Sequence, residues 1–230
     1  MAALLAAAMP MPALAQAYQC RVPDRITLPT EKRSAGPRLR GAIDGYILAV
    51  SWSPEYCRGD RASDPGNYQC NGSIGRFGFV LHGLWPDAAN GPSPQWCAPA
   101  APLSPAEIKT NLCMTPVPWL IQHEWAKHGT CMARDPQDYF KVSRILWQSL
   151  QLPDADKLSR ARYPTAGDLR RAFVARNPGW KREAVGVLVS NGGWLRELYL
   201  CYGKDFRPAA CDRNASGARD SVPIKIWRGL

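Results

Sequence analysis

The sequence predicts an α+β domain, a central antiparallel sheet packed against a layer of helices. Three observations predict it. Apolar, strand-like runs occur at Tyr46–Trp52 and Arg76–Leu81, and again late in the chain. Helical segments with recognisable caps lie between them. Asn191-Gly192, between two of the late runs, is a hairpin signal that makes its flanking strands antiparallel.

In chain order, residues 1–17 are uncharged and alanine-rich and close on Ala13-Leu14-Ala15. They read as a secretory leader cut after Ala15 or Ala17, although the basic start of such a leader is missing. The run is too short to span a bilayer. Residues 18–42 read as a basic, proline-containing arm, with a charge cluster from Glu31 to Arg40 taken as a solvated loop. Residues 43–230 read as one catalytic domain, a length that suits a single core.

Within it, Tyr46–Trp52 is apolar enough for a central strand. Residues 53–73 form a Cys-, Asp- and Gly-rich excursion, and Arg76–Leu81 is a strand running into His82. A long loop over residues 86–102 follows. Ser104-Pro105-Ala106-Glu107 is a capping box with proline in the first turn. Thr115-Pro116 opens the next helix, which Gly129 ends. Tyr139, Val142, Leu146 and Leu150 give helical spacing over Asp138–Leu150, and Thr165 to Asp168 caps a helix that stops at Asn177-Pro178-Gly179. Val185–Val189, Leu195–Cys201 and Val222–Trp227 read as strands.

The chain carries 29 Lys and Arg against 19 Asp and Glu, a formal net charge of +10, which favours polyanionic partners. Its eight cysteines follow an export signal and include no Cys-x2-Cys pair, so they point to disulfides in an oxidising compartment rather than to zinc. Cys57 with Cys70, and Cys201 with Cys211, would be the cheapest pairs to close; about 105 pairings remain open in principle.

All three histidines fall in two short motifs, Phe79-Val80-Leu81-His82-Gly83-Leu84-Trp85-Pro86 and His123-Glu124-Trp125-Ala126-Lys127-His128-Gly129-Thr130-Cys131. On a helix, with His123 at zero, Lys127 lies at about 40°, Glu124 at about 100° and His128 at about 140°. Trp125 and Ala126 point to the back. Two imidazoles, a carboxylate and an ammonium therefore face one side, a cluster suited to proton transfer at an anionic centre. A zinc site on His123, Glu124 and His128 is disfavoured, because the rings are i, i+5 rather than the i, i+4 of zinc hydrolases and Lys127 lies between them. Gly83 would let a ligand approach the backbone, and Trp85 offers a face for a base. Trp52, Trp119, Trp147, Trp180, Trp194 and Trp227 read as core.

Together the motifs resemble the ribonuclease T2 family, the likeness extending from about Ala49 to Cys211. That resemblance implies a secreted, disulfide-bonded α+β endoribonuclease cleaving single-stranded RNA with low base specificity, often best at acidic pH and without metal or other cofactor. It implies His128 as the base at the ribose 2′-OH and His82 as the acid at the departing 5′-oxygen. Glu124 and Lys127 would stabilise the phosphorane, and His123 would hold the phosphate. Trp85 would stack on a base that Asp87 can hydrogen-bond. The products would be 2′,3′-cyclic phosphates, then 3′-phosphates. DNA, lacking the 2′-OH, would bind uncut. Leu120-Ile121-Gln122 departs from relatives that carry a bulky aromatic there, and Leu198–Cys211 matches only in general character. The expected molecule is a secreted or periplasmic monomer with RNA as partner, no metal and no membrane. The alternatives are a secreted RNA-binding protein on an inactive nuclease scaffold, whose sign would be a missing acid or base, and a zinc hydrolase.

Overall fold

The computed structural model describes residues 17–26, 28–29 and 36–229. The leader read over residues 1–17 lies outside these apart from Ala17, as does the Glu31–Arg33 part of the charge cluster.

Among the described residues six strands form two sheets: β1 (Ala17–Cys20), β2 (Gly45–Trp52), β3 (Gly75–Phe77), β4 (Phe79–Asp87), β5 (Val185–Val189) and β6 (Leu195–Gly203). The main sheet has the order β4-β2-β6-β5, with every neighbouring pair antiparallel, as the sequence predicts. A small second sheet pairs β1 with β3. The described residues also form eight α-helices: α1 (Ser53–Tyr56), α2 (Tyr68–Asn71), α3 (Pro105–Asn111), α4 (Pro118–Lys127), α5 (Pro136–Gln148), α6 (Ala155–Ser159), α7 (Ala166–Arg176) and α8 (Arg213–Ser216).

Strand register sorts the side chains. Leu48 and Val50 of β2, Leu81 and Leu84 of β4, and Leu198 and Leu200 of β6 pair across the sheet on one face, and all are buried in the core. Ser51, Trp85, Glu197 and Tyr199 occupy the other face.

The helix signals hold where they are local. The Ser104–Glu107 and Thr165–Asp168 capping boxes both form. The α4 start differs: the helix begins at Pro118, not at Thr115-Pro116. Val117 precedes a proline, which pushes it out of the helical region. Met114 and Thr115 serve β4 instead, accepting from the Leu81 N–H at 2.9 Å and donating the Thr115 hydroxyl to the Leu81 carbonyl at 2.8 Å. The expected single strand Arg76–Leu81 is two strands parted at Gly78, and β4 runs on through His82 to Asp87. Pro86 is tolerated because β4 is an edge strand. Val222–Trp227 is not a strand: Pro223 bridges Thr165 and Lys225 bridges Trp194, two partners that share no ladder.

Four disulfides close the frame: Cys20–Cys113, Cys57–Cys70, Cys97–Cys131 and Cys201–Cys211. The two short-range pairs are those the spacing favours. The described parts of the arm are tied down by β1, by Cys20 and by a Leu39–Gln95 bridge. Among the described residues no helix is long and apolar enough to cross a membrane.

Candidate active site

The site starts from an irregularity in β4. Gly83 faces Ala49 and Leu81 faces Val50, so His82 is one residue too many, a β-bulge. Side chains alternate along a regular strand, which would send His82 and Trp85, three apart, to opposite faces. The bulge brings both to one side, with their ring centres 5.2 Å apart and edge-to-face. His82 thus lies within the strand rather than at its end.

Gly83 explains how α4 reaches the sheet. A Cβ there would lie 2.6 Å from the Glu124 carboxyl carbon and 2.8 Å from Trp85 Nε1. The group that approaches this backbone is therefore the protein's own carboxylate. Glu124 is buried, accepts from the Trp85 indole N–H at 2.7 Å and places its other oxygen 3.5 Å from His82 Nε2. Behind it, Tyr139 of α5 donates its hydroxyl to the Leu84 carbonyl at 3.1 Å, locking α5 to the bulged strand.

The α4 helix carries His123, Glu124 and Lys127 of the second motif, with Trp125 and Ala126 buried behind. His128 is the C-terminal cap residue, buried and stacked on Trp85 at 5.4 Å between ring centres. Both imidazoles, one from the sheet and one from the helix, therefore touch one indole. His123 stacks on Trp119 at 4.9 Å, with Trp96 edge-on at 5.4 Å. Trp96 adopts a left-handed backbone (φ 56) and donates its N–H to the Lys127 carbonyl at 2.7 Å, while Cys97–Cys131 staples the same loop to the end of α4.

The electrostatics separate the histidines. Burial disfavours the imidazolium of His82, but the Glu197 hydrogen bond and the charges of Glu124 and Glu197 outweigh it, and its pKa is raised above 6.5. For His128, burial acts first and the charges of Lys127, His123 and His82 act the same way, lowering its pKa to about 2. His123 falls to about 4, through burial and then Lys127 and His82. Burial raises Glu124 despite His82, Trp85 and Lys127, and Glu197 is lowered because His82 and Ser51 outweigh its burial. In the mildly acidic range, below pH 6.5, the sheet imidazole holds a proton and the helix imidazole does not, which leaves one proton donor and one proton acceptor.

Of the residues singled out from sequence, His82, Trp85, Glu124 and His128 converge directly, and the charge of Lys127 acts on all three histidines. His123 sits one helical turn away in its tryptophan cradle. Asp87 lies two residues beyond Trp85 on β4 and accepts from the Ser93 hydroxyl at 2.7 Å. Trp85 has its N–H on Glu124 and stacks on His128, so it scaffolds the cluster. Trp119, read as core, is 51% exposed, because it lies on the outer side of His123. Among the described residues no three His, Cys, Asp or Glu side chains form a group that could hold a metal ion.

Sequence reading missed Glu197, Ser51 and Tyr199. Glu197 Oε1 lies 2.7 Å from His82 Nδ1 and accepts from the Ser51 hydroxyl at 2.7 Å. Tyr199 sits edge-to-face with Trp85 at 5.3 Å. The available signal was the alternation on β6, where Glu197 and Tyr199 interleave with buried Leu198 and Leu200.

Residues 43–161 match the model of the Ribonuclease T2 family. A "probable ribonuclease" of Haemophilus influenzae is 33% identical over 187 residues, covering 76% of this chain and 64% of the relative's length. A "ribonuclease" of Aeromonas hydrophila is 33% identical over 171 residues, covering 72% of this chain and 74% of that protein. Among solved structures, trichomaglin, described as an S-like ribonuclease, superposes with a TM-score of 0.64 at 23% identity, over 80% of this chain and 97% of that one. RNase NT in complex with 5′-AMP gives 0.60 at 22% identity, over 81% and 98%. The fold is theirs, and the span matched by the family model contains both histidine motifs around Trp85: the chain belongs to the ribonuclease T2 family.

Proposed function

We propose that this chain is an endoribonuclease that cleaves single-stranded RNA through its own 2′-OH, with low base specificity and without metal. The observation that carries this reading is the pair of imidazoles, His82 and His128, on one indole with opposite protonation states. RNA supplies the nucleophile, so the protein need supply only a base, an acid and charge stabilisation. His128, neutral, takes the 2′-OH proton as the oxygen attacks phosphorus. His82, protonated, gives its proton to the 5′-oxygen as the P–O bond breaks. The products are a 2′,3′-cyclic phosphate and a 5′-hydroxyl. In the second step the roles reverse: His82 activates water and His128 protonates the 2′-oxygen, leaving a 3′-phosphate.

Acid–base catalysis of this kind contributes about 10²–10⁴ in rate. Lys127 and Glu124 stabilise the phosphorane, the first as a fixed charge beside the developing oxyanion. His123, neutral in the working range, offers the phosphate an N–H rather than a charge. Trp85 and Asp87 border the base adjoining the scissile phosphate. Four disulfides and the alanine-rich leader support export to the periplasm or the medium.

The test is incubation of the purified protein with RNA and with DNA of matched sequence, in excess chelator, followed by analysis of the ends. The reading expects cyclic phosphates that mature to 3′-phosphates, and intact DNA. Cleavage of DNA, or 5′-phosphate ends on RNA, would contradict it.

A further inference from the structure

The active-site strands lead into a second feature that the chemistry above leaves unused. Past the end of β2 lies an open cleft of about 1250 Å³. Its wall begins at Trp52 and Ser53, directly after Ser51, which hydrogen-bonds Glu197. Just before β6, Trp194 precedes Glu197 by three residues and lies under Arg58 of the cleft wall. One strand, β2, thus runs from the His82 cluster into the wall of this cleft.

The lining is cationic and aromatic. Arg58, Arg76 and Arg228 are all exposed along it. Its one acidic residue, Asp156, is engaged by Arg160 at 2.9 Å. Arg58 is ion-paired with Glu55 at 3.2 Å, and its guanidinium lies 4.6 Å from the ring centre of Trp194 and 4.8 Å from that of Trp227. Trp227 is fixed in turn by its carbonyl, which accepts the Trp52 indole N–H at 2.6 Å. Arg76 and Arg228 have no ion-pair partner among the described residues. The volume exceeds the roughly 300–1,000 Å³ of a small-molecule site. Free cations beside fixed aromatic planes are the chemistry that tracks a single-stranded nucleic-acid backbone.

We propose that this cleft is a distal groove for single-stranded RNA, in which Arg76 and Arg228 bind phosphates several nucleotides from the one being cleaved. The proposal rests on the endoribonuclease reading for its ligand. It makes the protein a better enzyme on long RNA than on short, because distal contacts hold the polymer without touching the reacting atoms.

The test uses binding and cleavage separately. Fluorescence anisotropy with an uncleavable 2′-O-methyl 12-mer, over a range of salt, compares the native protein with the R76A/R228A variant. The Kd for the 12-mer should rise at least fivefold. The slope of log Kd against log salt should fall by about 1.4, that is about 0.7 for each phosphate that an arginine no longer neutralises. The kcat/KM for a dinucleoside phosphate, which carries no phosphate besides the scissile one, should stay within twofold of the native value. An unchanged Kd and slope would overturn the proposal, and so would a parallel loss of dinucleotide cleavage. A native protein that cleaves no RNA at all would instead defeat the catalytic reading, while the titration would still decide the groove.

Discussion

The Nδ1 of His82 lies 2.7 Å from Oε1 of Glu197, on the strand two places across the sheet. One carboxylate oxygen thereby fixes the ring, while the Ser51 hydroxyl on the strand between them fixes the carboxylate. The other ring nitrogen, Nε2, faces the Glu124 side of the cluster. This contact sets His82 apart from the two helix histidines, which pack on tryptophans and feel the charge of Lys127.

Glu197 is therefore a positioning residue, and Glu197→Gln tests it. Glu197 raises the His82 pKa, so its neutral replacement lowers it, and the alkaline limb of the pH–rate profile should move to lower pH. A hydrogen bond to a charged group is worth about 1.5–3 kcal/mol, so kcat near neutrality should fall about ten- to a hundredfold. A lower rate with an unmoved alkaline limb would mean that Glu197 only supports the fold.

The pH dependence of the native protein follows from the same signs. The proposed mechanism needs His128 neutral and His82 protonated. His128 loses its proton at about 2, and His82 keeps its own to above 6.5. The kcat/KM profile, which reports the free enzyme, should hold through the mildly acidic range and fall only above pH 6.5. A profile centred well above neutrality would contradict this.

His82→Ala and His128→Ala should each reduce RNA cleavage by at least 10²-fold, with far-UV circular dichroism unchanged. Retained turnover in either variant would remove that residue from the mechanism.

Gly83→Ala forces a methyl group against Glu124 and Trp85. Overpacking of this kind costs about 1–3 kcal/mol, and here the strain falls on Glu124, the carboxylate proposed to stabilise the phosphorane. Thermal unfolding should show the loss of stability, and activity should fall further than stability alone explains. An unshifted Tm would mean that the strand and α4 can separate freely.

The disulfides should differ in worth. In the loop-entropy model, Cys20–Cys113, with a sequence separation of 93, contributes about 4–5 kcal/mol, and Cys201–Cys211, separated by 10, about 3 kcal/mol. Removing each pair by double alanine substitution and measuring Tm should rank them in that order.

What the sequence reveals is mostly local. Ser104 and Thr165 announce their helices because a capping box is complete within four residues. His123 to His128 announce their geometry because a helix has a fixed period. The bulge at His82, the reach of Glu197 across 115 residues and the Cys20–Cys113 link depend on strand register and long-range pairing, which no short window contains. Trp119 escaped for a related reason: an apolar residue on a helix reads as core unless the neighbour it covers is already known. Gly83 was legible as a close approach, but what approaches is Glu124, not a ligand.

The central claim is that His82 and His128 are preset as acid and base before RNA arrives. Because the chain holds only three histidines, an NMR titration of the imidazole nitrogens, assigned with the single alanine variants, tests it most directly. The account predicts that at pH 6 the His82 ring is charged while His128 and His123 are neutral. A charged His128 or a neutral His82 at that pH would contradict it.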